Sequence, residues 1–220
     1  MNKFIFYITT IMTSFYIHSV YAAEKDFKLD VNLYRQKYEF SCEAAALKVI
    51  LNYEKIDIQE DEVIKYFPID PTPRNKTTWG DPDKGFVGDI YGKNAEVSYG
   101  IHWQGLKKIS QRWGITEAGT APNSSIIAKY VLQKKPVIAW VVSENASGRD
   151  LTWKTANNKT IKAVEGEHTV VVYGFRGDSK NPSGFYIMDP SMGLTYKSNV
   201  DFSNSWRRLG NSYLVMLKIK

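Results

Sequence analysis

The amino-acid sequence predicts an α+β fold, in which a helical N-terminal part packs on an antiparallel β-sheet. Segments with helical spacing of apolar residues dominate the first half of the chain, and apolar, strand-like segments dominate the second half. Helices and strands that are segregated in this way are typical of α+β proteins. The chain has 220 residues, which is enough for one domain with a sizeable core.

The first predicted helix begins at Cys42, the only cysteine in the sequence. The run AAALKVIL follows soon after it, with apolar residues at three- and four-residue intervals. Ser41 suits the N-cap position, which places Cys42 in the first helical turn. Because free N–H groups and the positive end of the helix dipole lie there, we expect the thiol to ionise more easily than an ordinary cysteine.

Three further helices are predicted before the strands begin. One spans about 58–67 and ends at Pro68, one runs from about His102 to Trp113, and one starts at Ser124 or Ser125. The segment between Pro68 and about Gly100 is irregular and rich in Pro, Gly and Asp. Long loops of this kind are usually functional.

Within this loop we expect residues 77–92 to form one wall of a substrate cleft, with Phe86 contacting the substrate. A structural cover over the second helix is the alternative.

The strands are predicted from apolar runs and turn signals. They are PVIAWVVS from Pro136, a hairpin of 151–155 with 160–164, HTVVVYGF at 168–175, GFYIMDP at 184–190 and, after a short helix near DFSNSWRRL, the final SYLVMLKI. The first of these is too apolar to be anything but a central strand.

Two residues near strand ends suit the cysteine as partners. His168 opens one strand and Asp189 ends the next, so they lie at the same end if the two strands pair as a hairpin. The carboxylate can then accept from one imidazole nitrogen while the other faces the sulfur of Cys42. His102 is the other candidate histidine, and Asp189 could instead be a turn residue before proline. The side-chain amide of Gln36, six residues before Cys42, could donate to an oxyanion formed beside the sulfur.

The first 22 residues predict a cleavable secretory signal peptide. Lys3 precedes a largely apolar segment that ends in the small-residue pattern Val20-Tyr21-Ala22. The mature domain is then 23–220, secreted or at the cell surface, and an uncleaved membrane anchor is the alternative. A secreted chain with one cysteine has no intramolecular disulfide, which favours a functional reason for keeping that thiol.

The formal net charge of +6 at pH 7 suits association with an anionic cell envelope, although an ordinary solubility charge is the simpler explanation. No nucleic-acid-binding motif or long Lys/Arg block is present. His18 lies in the predicted signal peptide, so the mature chain has one cysteine and two histidines. These form no recognisable zinc site at their spacings, so we expect no metal and no cofactor.

The combined pattern resembles the papain-like cysteine peptidase superfamily. Within it, the chain is similar to a secreted, stand-alone form of the leader-peptide (double-glycine) peptidases of bacteriocin exporters. The matching pieces, over nearly all of the mature chain, are Gln36, Ser41-Cys42, the AAALKVIL helix, GDPDKGFVG, GEHTVVVYGF and the MDP segment. The resemblance implies a papain-like fold, with Cys42 as nucleophile, His168 as general base, Asp189 as orienter and Gln36 as oxyanion-hole donor.

Two departures from that family stand out. A glycine commonly follows the cysteine in the exporter-associated enzymes, whereas this chain has Glu43, whose carboxylate would raise the pKa of the thiol unless it points away. The chain also has no transporter domain, so processing of a bacteriocin leader is not implied.

The function expected from the sequence is hydrolysis of a peptide bond, or of a cell-wall cross-link amide, through an acyl-enzyme. An acyltransferase or transpeptidase would use the same triad, because an amine can resolve an acyl-enzyme as well as water can. The alternative from another class is a non-catalytic papain-like shell that binds peptides or cell-wall polymer.

Overall fold

The structure is a computed structural model, in which residues 24–220 are described. The predicted signal peptide, residues 1–22, lies outside the described residues. The helices are α1 (Cys42–Tyr53), α2 (Glu60–Ile64), α3 (Trp103–Ser110), α4 (Ser125–Leu132) and α5 (Asn199–Arg208). The strands are β1 (Asp26–Lys28), β2 (Ile69–Asp70), β3 (Phe86–Val87), β4 (Gly114–Thr120), β5 (Val137–Val142), β6 (Asp150–Lys154), β7 (Thr160–Val164), β8 (Glu167–Asp178), β9 (Asn181–Asp189), β10 (Gly193–Ser198) and β11 (Ser212–Ile219). Within residues 24–220, no helix has the length and apolar character needed to cross a bilayer.

One large antiparallel sheet organises the second half of the chain. Its strands lie in the order β10-β9-β8-β5-β11-β4, and β1 pairs with β8. The predicted α+β class is therefore confirmed, and β5, β8 and β9 are neighbours in one sheet as expected. Strand β5 is buried along most of its length, as its apolar sequence predicts for a strand with neighbours on both sides.

Helix α1 packs against β8 and has almost no exposed residues. Ala44, Ala45 and Ala46 are fully buried, and the larger Leu47 and Ile50 join the main apolar core. The alanines have no bulk beyond Cβ, which allows the start of the helix to approach its neighbours closely. This close packing removes Cys42 from solvent.

The edge strands were not predicted from the sequence. β4 and β10 lie at the two ends of the strand order. Their sequences, GITEAGT and GLTYKS, mix glycine and polar residues, because an edge strand has one unpaired side and a partly exposed face. Helix α2 is also shorter than the predicted 58–67.

The long loop carries its own small core. Trp79 and Val87 pack with Trp153, Ile161 and Ala163, which joins the loop to the separate β6–β7 hairpin. The indole N–H of Trp153 donates to the Gly80 carbonyl at 2.7 Å. The loop is therefore packed in its middle part, mainly over 79–90, whereas 73–77 and 93–97 are exposed.

Phe86 lies on β3 within this loop and is 0% exposed in the main apolar core. The expectation that Phe86 contacts substrate is therefore wrong, because no part of this side chain reaches a cleft.

Candidate active site

Cys42 is the first residue of α1 and is 6% exposed. Its thiol donates to Glu43 Oε2, with a sulfur–oxygen distance of 3.3 Å. Burial raises the pKa of the thiol well above its usual value, and the negative charges of Glu43 and Glu167 raise it further. Contacts with Thr169, the residue after His168, lower the pKa by less. The expected easily ionised thiol is therefore not found, because burial and two acids outweigh the helix terminus.

Ser41 occupies the N-cap position of α1, as predicted, but its hydroxyl does not cap the helix. The hydroxyl donates to the Tyr38 carbonyl at 2.9 Å and accepts from the Tyr38 N–H at 3.1 Å. It thereby closes the turn that leads into the helix. This turn fixes the direction in which the chain arrives at Cys42.

His168 and Asp189 meet at one end of the β8–β9 pair, as their strand positions predict. The ring Nε2 of His168 lies 2.9 Å from Asp189 Oδ1. Both side chains are largely buried. The other ring nitrogen, Nδ1, is the one left to exchange a proton with a further group.

Asp189 is held by more than the histidine. Its Oδ1 also accepts from the N–H of Ser191 at 2.7 Å, from the Ser191 hydroxyl at 2.7 Å and from the N–H of Met192 at 3.0 Å. Burial opposes the ionised form, but the hydrogen bonds and the charge of His168 hold the pKa of Asp189 below its ordinary value. The sequence analysis missed Ser191. The signal was the Asp-Pro-Ser turn, in which aspartate accepts from main-chain groups two and three residues on.

Gln36 is brought to the same end of the sheet through its main chain, which donates to the Pro190 carbonyl at 2.9 Å. Its side-chain Nε2 donates to the carbonyl oxygens of Tyr38 at 2.8 Å and Glu39 at 2.9 Å. Both hydrogens of the amide are therefore directed at the turn before Cys42. Within the described residues, Gln36 Oε1 is buried without a hydrogen-bond partner.

Glu43 follows the cysteine and is 0% exposed. Its carboxylate points towards the sulfur through Oε2, and Oε1 accepts from the Ile101 N–H at 2.8 Å. Burial raises the pKa of Glu43 from its usual value. Glu43, which stands where the exporter-associated enzymes commonly have glycine, therefore acts directly on the Cys42 thiol.

His102, the alternative histidine, belongs to a different cluster. Its Nδ1 lies 2.7 Å from Asp83 Oδ1, and the ammonium group of Lys159 lies 2.6 Å from Asp83 Oδ2. This cluster connects the start of α3 to the long loop and the β6–β7 hairpin.

A cleft of about 700 Å³ opens beside the site. It is lined by the long loop, by the β6–β7 hairpin and by residues next to Cys42 and His168, among them Arg74, Trp79, Tyr99, Trp153, Phe40 and Glu167. The long loop contributes a wall through 74–76, Trp79 and 95–99. The predicted wall of 77–92 is therefore wrong except at Trp79, because most of that segment packs into the interior or lies away from the cleft. A second cavity of about 570 Å³ shares Leu151 and Thr152 of the hairpin with the cleft. Neither the cleft nor this cavity is lined by Cys42, His168, Asp189 or Gln36 themselves.

Comparison with known proteins identifies relatives over most of the chain. The family described as "Peptidase_C39 like family" matches residues 28–214. Bacillus subtilis (strain 168) has a relative named "Uncharacterized protein YvpB", 28% identical over 198 residues, which represent 86% of this chain and 76% of that protein.

Solved structures are also similar to this chain, and one of them shows the same architecture. A Bacillus anthracis structure described as that of a C39-like peptidase superposes with a TM-score of 0.76 at 22% identity, over 88% of this chain and 98% of the other. A double glycine motif protease from an AMS/PCAT transporter, solved with its leader peptide, gives a TM-score of 0.47 at 18% identity, over 86% and 93%.

Proposed function

The chain belongs to the Peptidase_C39 like family, and we propose that it cleaves peptide bonds with a triad of Cys42, His168 and Asp189. Membership of this family supports a papain-like cysteine peptidase in general terms. The observation that carries the proposal is the contact between His168 Nε2 and Asp189 Oδ1 at 2.9 Å. His168 lies on β8, and α1, which begins at Cys42, packs against this strand. A lone thiol and an imidazole oriented by a carboxylate are the groups that covalent acyl chemistry needs.

In the proposed reaction, the Cys42 thiol passes its proton to His168 Nδ1. Because that proton points to Glu43 in the resting site, the sulfur must first leave this hydrogen bond. The thiolate attacks the carbonyl carbon of the scissile bond and forms a tetrahedral oxyanion. His168 then gives its proton to the leaving amine as the C–N bond breaks, and a water molecule hydrolyses the thioester by the reverse sequence.

Asp189 holds the imidazole through Nε2 and stabilises its protonated form. Four donors fix Asp189 Oδ1, so the carboxylate can keep its place while the ring gains and loses a proton. We assign no proton transfer to Asp189 itself.

The oxyanion is proposed to accept from the backbone N–H of Cys42, one of the first N–H groups of α1, and from the side-chain amide of Gln36. In the resting structure the Gln36 amide donates to two main-chain carbonyls. One of these two bonds must open for Gln36 to donate to an oxyanion.

The substrate is proposed to be a peptide or protein segment that lies in the cleft of about 700 Å³. Its lining combines aromatic rings with acidic and basic groups, which suits an extended chain of mixed character. A cell-wall peptide fits the expected export of the chain. N-terminal sequencing of the extracellular protein, with a start after Ala22, would test signal-peptide cleavage.

A non-catalytic binding shell is the second candidate. Two observations favour it: the thiol is buried and hydrogen-bonded to an acid, and both Gln36 amide hydrogens are occupied. Such a protein would bind peptide in the cleft without turnover.

The test is a cleavage assay on a peptide mixture of defined sequences, with new termini identified by mass spectrometry. The wild type should produce new termini, whereas Cys42→Ala and His168→Ala should produce none. Added amines should appear on the products if the enzyme is an acyltransferase. Peptide binding to the wild type without any new terminus would support the binding shell.

A further inference from the structure

Glu43 and Glu167 bring two carboxyl groups to the nucleophile, and the triad uses neither of them. Glu43 Oε2 accepts the thiol hydrogen of Cys42 at 3.3 Å. Its other oxygen accepts from the Ile101 N–H at 2.8 Å, so the carboxyl group is anchored on the side away from the sulfur. The contact with Cys42 is therefore part of a fixed arrangement.

Glu167 immediately precedes His168 at the start of β8. Both of its carboxyl oxygens are buried and lack a hydrogen-bond partner among residues 24–220. An unpaired buried carboxylate is costly, so such a group favours its neutral, protonated form.

Gly100 shows how close the two carboxyl groups are. A Cβ added there would lie 2.4 Å from Glu167 Oε2 and 2.6 Å from Glu43 Oε1, so the two oxygens border the same small space. The φ of Gly100 is +139°, a conformation that side chains rarely adopt. Glycine at this position leaves room for both acids.

We propose that Glu43 and Glu167 form a carboxyl pair that holds a single proton at neutral pH, and that Glu43 is an additional catalytic residue that holds Cys42 in its thiol form. Two acids and a thiol in one buried space cannot all be ionised together. The single charge of the pair lies on Glu43, where the N–H of Ile101 and the thiol stabilise it. That charge opposes formation of the thiolate.

The carboxyl group of Glu43 also faces the proposed base. Burial raises the pKa of Glu43, and the attraction to His168 opposes this rise. The pair therefore restrains the sulfur. This inference rests on the proposed role of Cys42 as nucleophile.

Several groups surround the pair and enter its pH dependence. Cys42 lies on α1, His168 follows Glu167 on β8, and Asp189 lies behind the ring on β9. Tyr99 comes from the long loop, and burial and the charge of Glu167 raise its pKa well above the usual value. None of these groups supplies a positive charge that would neutralise both acids.

The experiment measures the rate of Cys42 alkylation by iodoacetamide against pH in the intact domain. Glu43→Gln keeps an oxygen for the Ile101 N–H and removes the charge, so the alkylation profile should move to lower pH, with a rate about tenfold higher near pH 7 for each unit of pKa shift. Glu54→Gln is the matched control, because this acid lies just after the other end of α1 and pairs with Lys135. Its profile should overlay that of the wild type.

Carbon-13 NMR of glutamate carboxyl groups in the wild type tests for the single proton of the pair without any substitution. One carboxyl group should titrate well above the ordinary range, and that signal should vanish in Glu167→Gln. All carboxyl groups titrating near pH 4.5, or a Glu43→Gln profile identical to that of the wild type, would overturn the inference. Because alkylation needs no turnover, a shifted profile in a protein that cleaves nothing would keep the carboxyl pair and reject the peptidase.

Discussion

The backbone N–H of Gln36 donates to the carbonyl oxygen of Pro190 at 2.9 Å. This bond ties the segment before the nucleophile to the turn after Asp189, although more than half of the chain separates them in sequence. The predicted oxyanion donor and the predicted orienter are therefore held by one main-chain contact. Their relative positions depend on both β9 and the lead-in to α1.

Gln36→Ala should separate the reactivity of the thiol from turnover. Loss of the amide removes a donor that acts only when the tetrahedral species forms, so turnover should fall by roughly a hundredfold. The alkylation rate of Cys42 should stay close to that of the wild type, since the sulfur and the imidazole are untouched. Parallel kinetics of peptide cleavage and alkylation check this.

Gln36→Glu is the matched variant for this prediction. It keeps the length of the side chain but replaces the donor with a carboxylate, so turnover should fall at least as far. Full turnover in either variant would remove Gln36 from the oxyanion hole.

Asp189→Asn should reduce turnover and also cost stability. The asparagine keeps one oxygen for the Ser191 and Met192 N–H groups but loses the charge that faces His168. We expect turnover to fall less than in Cys42→Ala or His168→Ala, together with a loss of roughly 1–3 kcal/mol in the free energy of unfolding. Urea unfolding and cleavage kinetics on the same preparation measure both. Unchanged turnover would show that Asp189 is only a turn residue.

The stability that ionised Asp83 contributes should be lost in acid. The hydrogen bond to His102 and the ammonium group of Lys159 lower the pKa of Asp83 to about 2. A carboxyl group with a lowered pKa contributes stability above its unfolded-state pKa and loses it as pH falls, here between about pH 4 and pH 2. The contribution is roughly 2 kcal/mol, and Asp83→Asn should remove it.

Urea unfolding at pH 7 and at pH 3 tests this prediction. The difference in free energy of unfolding between the wild type and Asp83→Asn should be smaller at pH 3 than at pH 7. Asp57→Asn, at an exposed position outside this cluster, is the control. An equal difference at both pH values would contradict the stabilising role of ionised Asp83.

Phe86→Ala and Phe40→Ala should affect different properties. Phe86 is fully buried, so its truncation should cost about 3–5 kcal/mol of stability. Phe40 lines the cleft and is partly buried, so its truncation should chiefly raise KM for peptide. Phe27→Ala is the control for loss of an aromatic ring, because Phe27 packs on Phe175 away from the cleft. A KM effect in Phe86→Ala and none in Phe40→Ala would reverse this assignment of roles.

Local sequence pattern was sufficient to predict the elements that hold the site. The small-residue run after Cys42 marks a closely packed helix, and the apolar strands at His168 and before Asp189 are long enough to be recognised. A hairpin returns to its starting end, so the meeting of His168 and Asp189 followed from topology alone.

The chemical state of the nucleophile could not be predicted in the same way. The position of Cys42 in the first turn favours ionisation, but the neighbouring carboxyl group of Glu167 comes from a distant strand. Burial of the thiol depends on tertiary packing that the local pattern does not specify. The hydrogen bonds of the Gln36 amide could not be predicted either, because its partners belong to a turn whose conformation the sequence did not reveal.

Detection of a thioester on Cys42 tests the central claim most directly. A peptide that the wild type cleaves is mixed with enzyme, the reaction is quenched in acid within the first turnover, and intact and peptide-level mass spectrometry locate any acyl adduct. We predict an adduct on Cys42 with the mass of the N-terminal product less one water, absent from Cys42→Ala and strongly reduced in His168→Ala. Cleavage that proceeds equally in Cys42→Ala, with no adduct at any time in the wild type, would contradict the account.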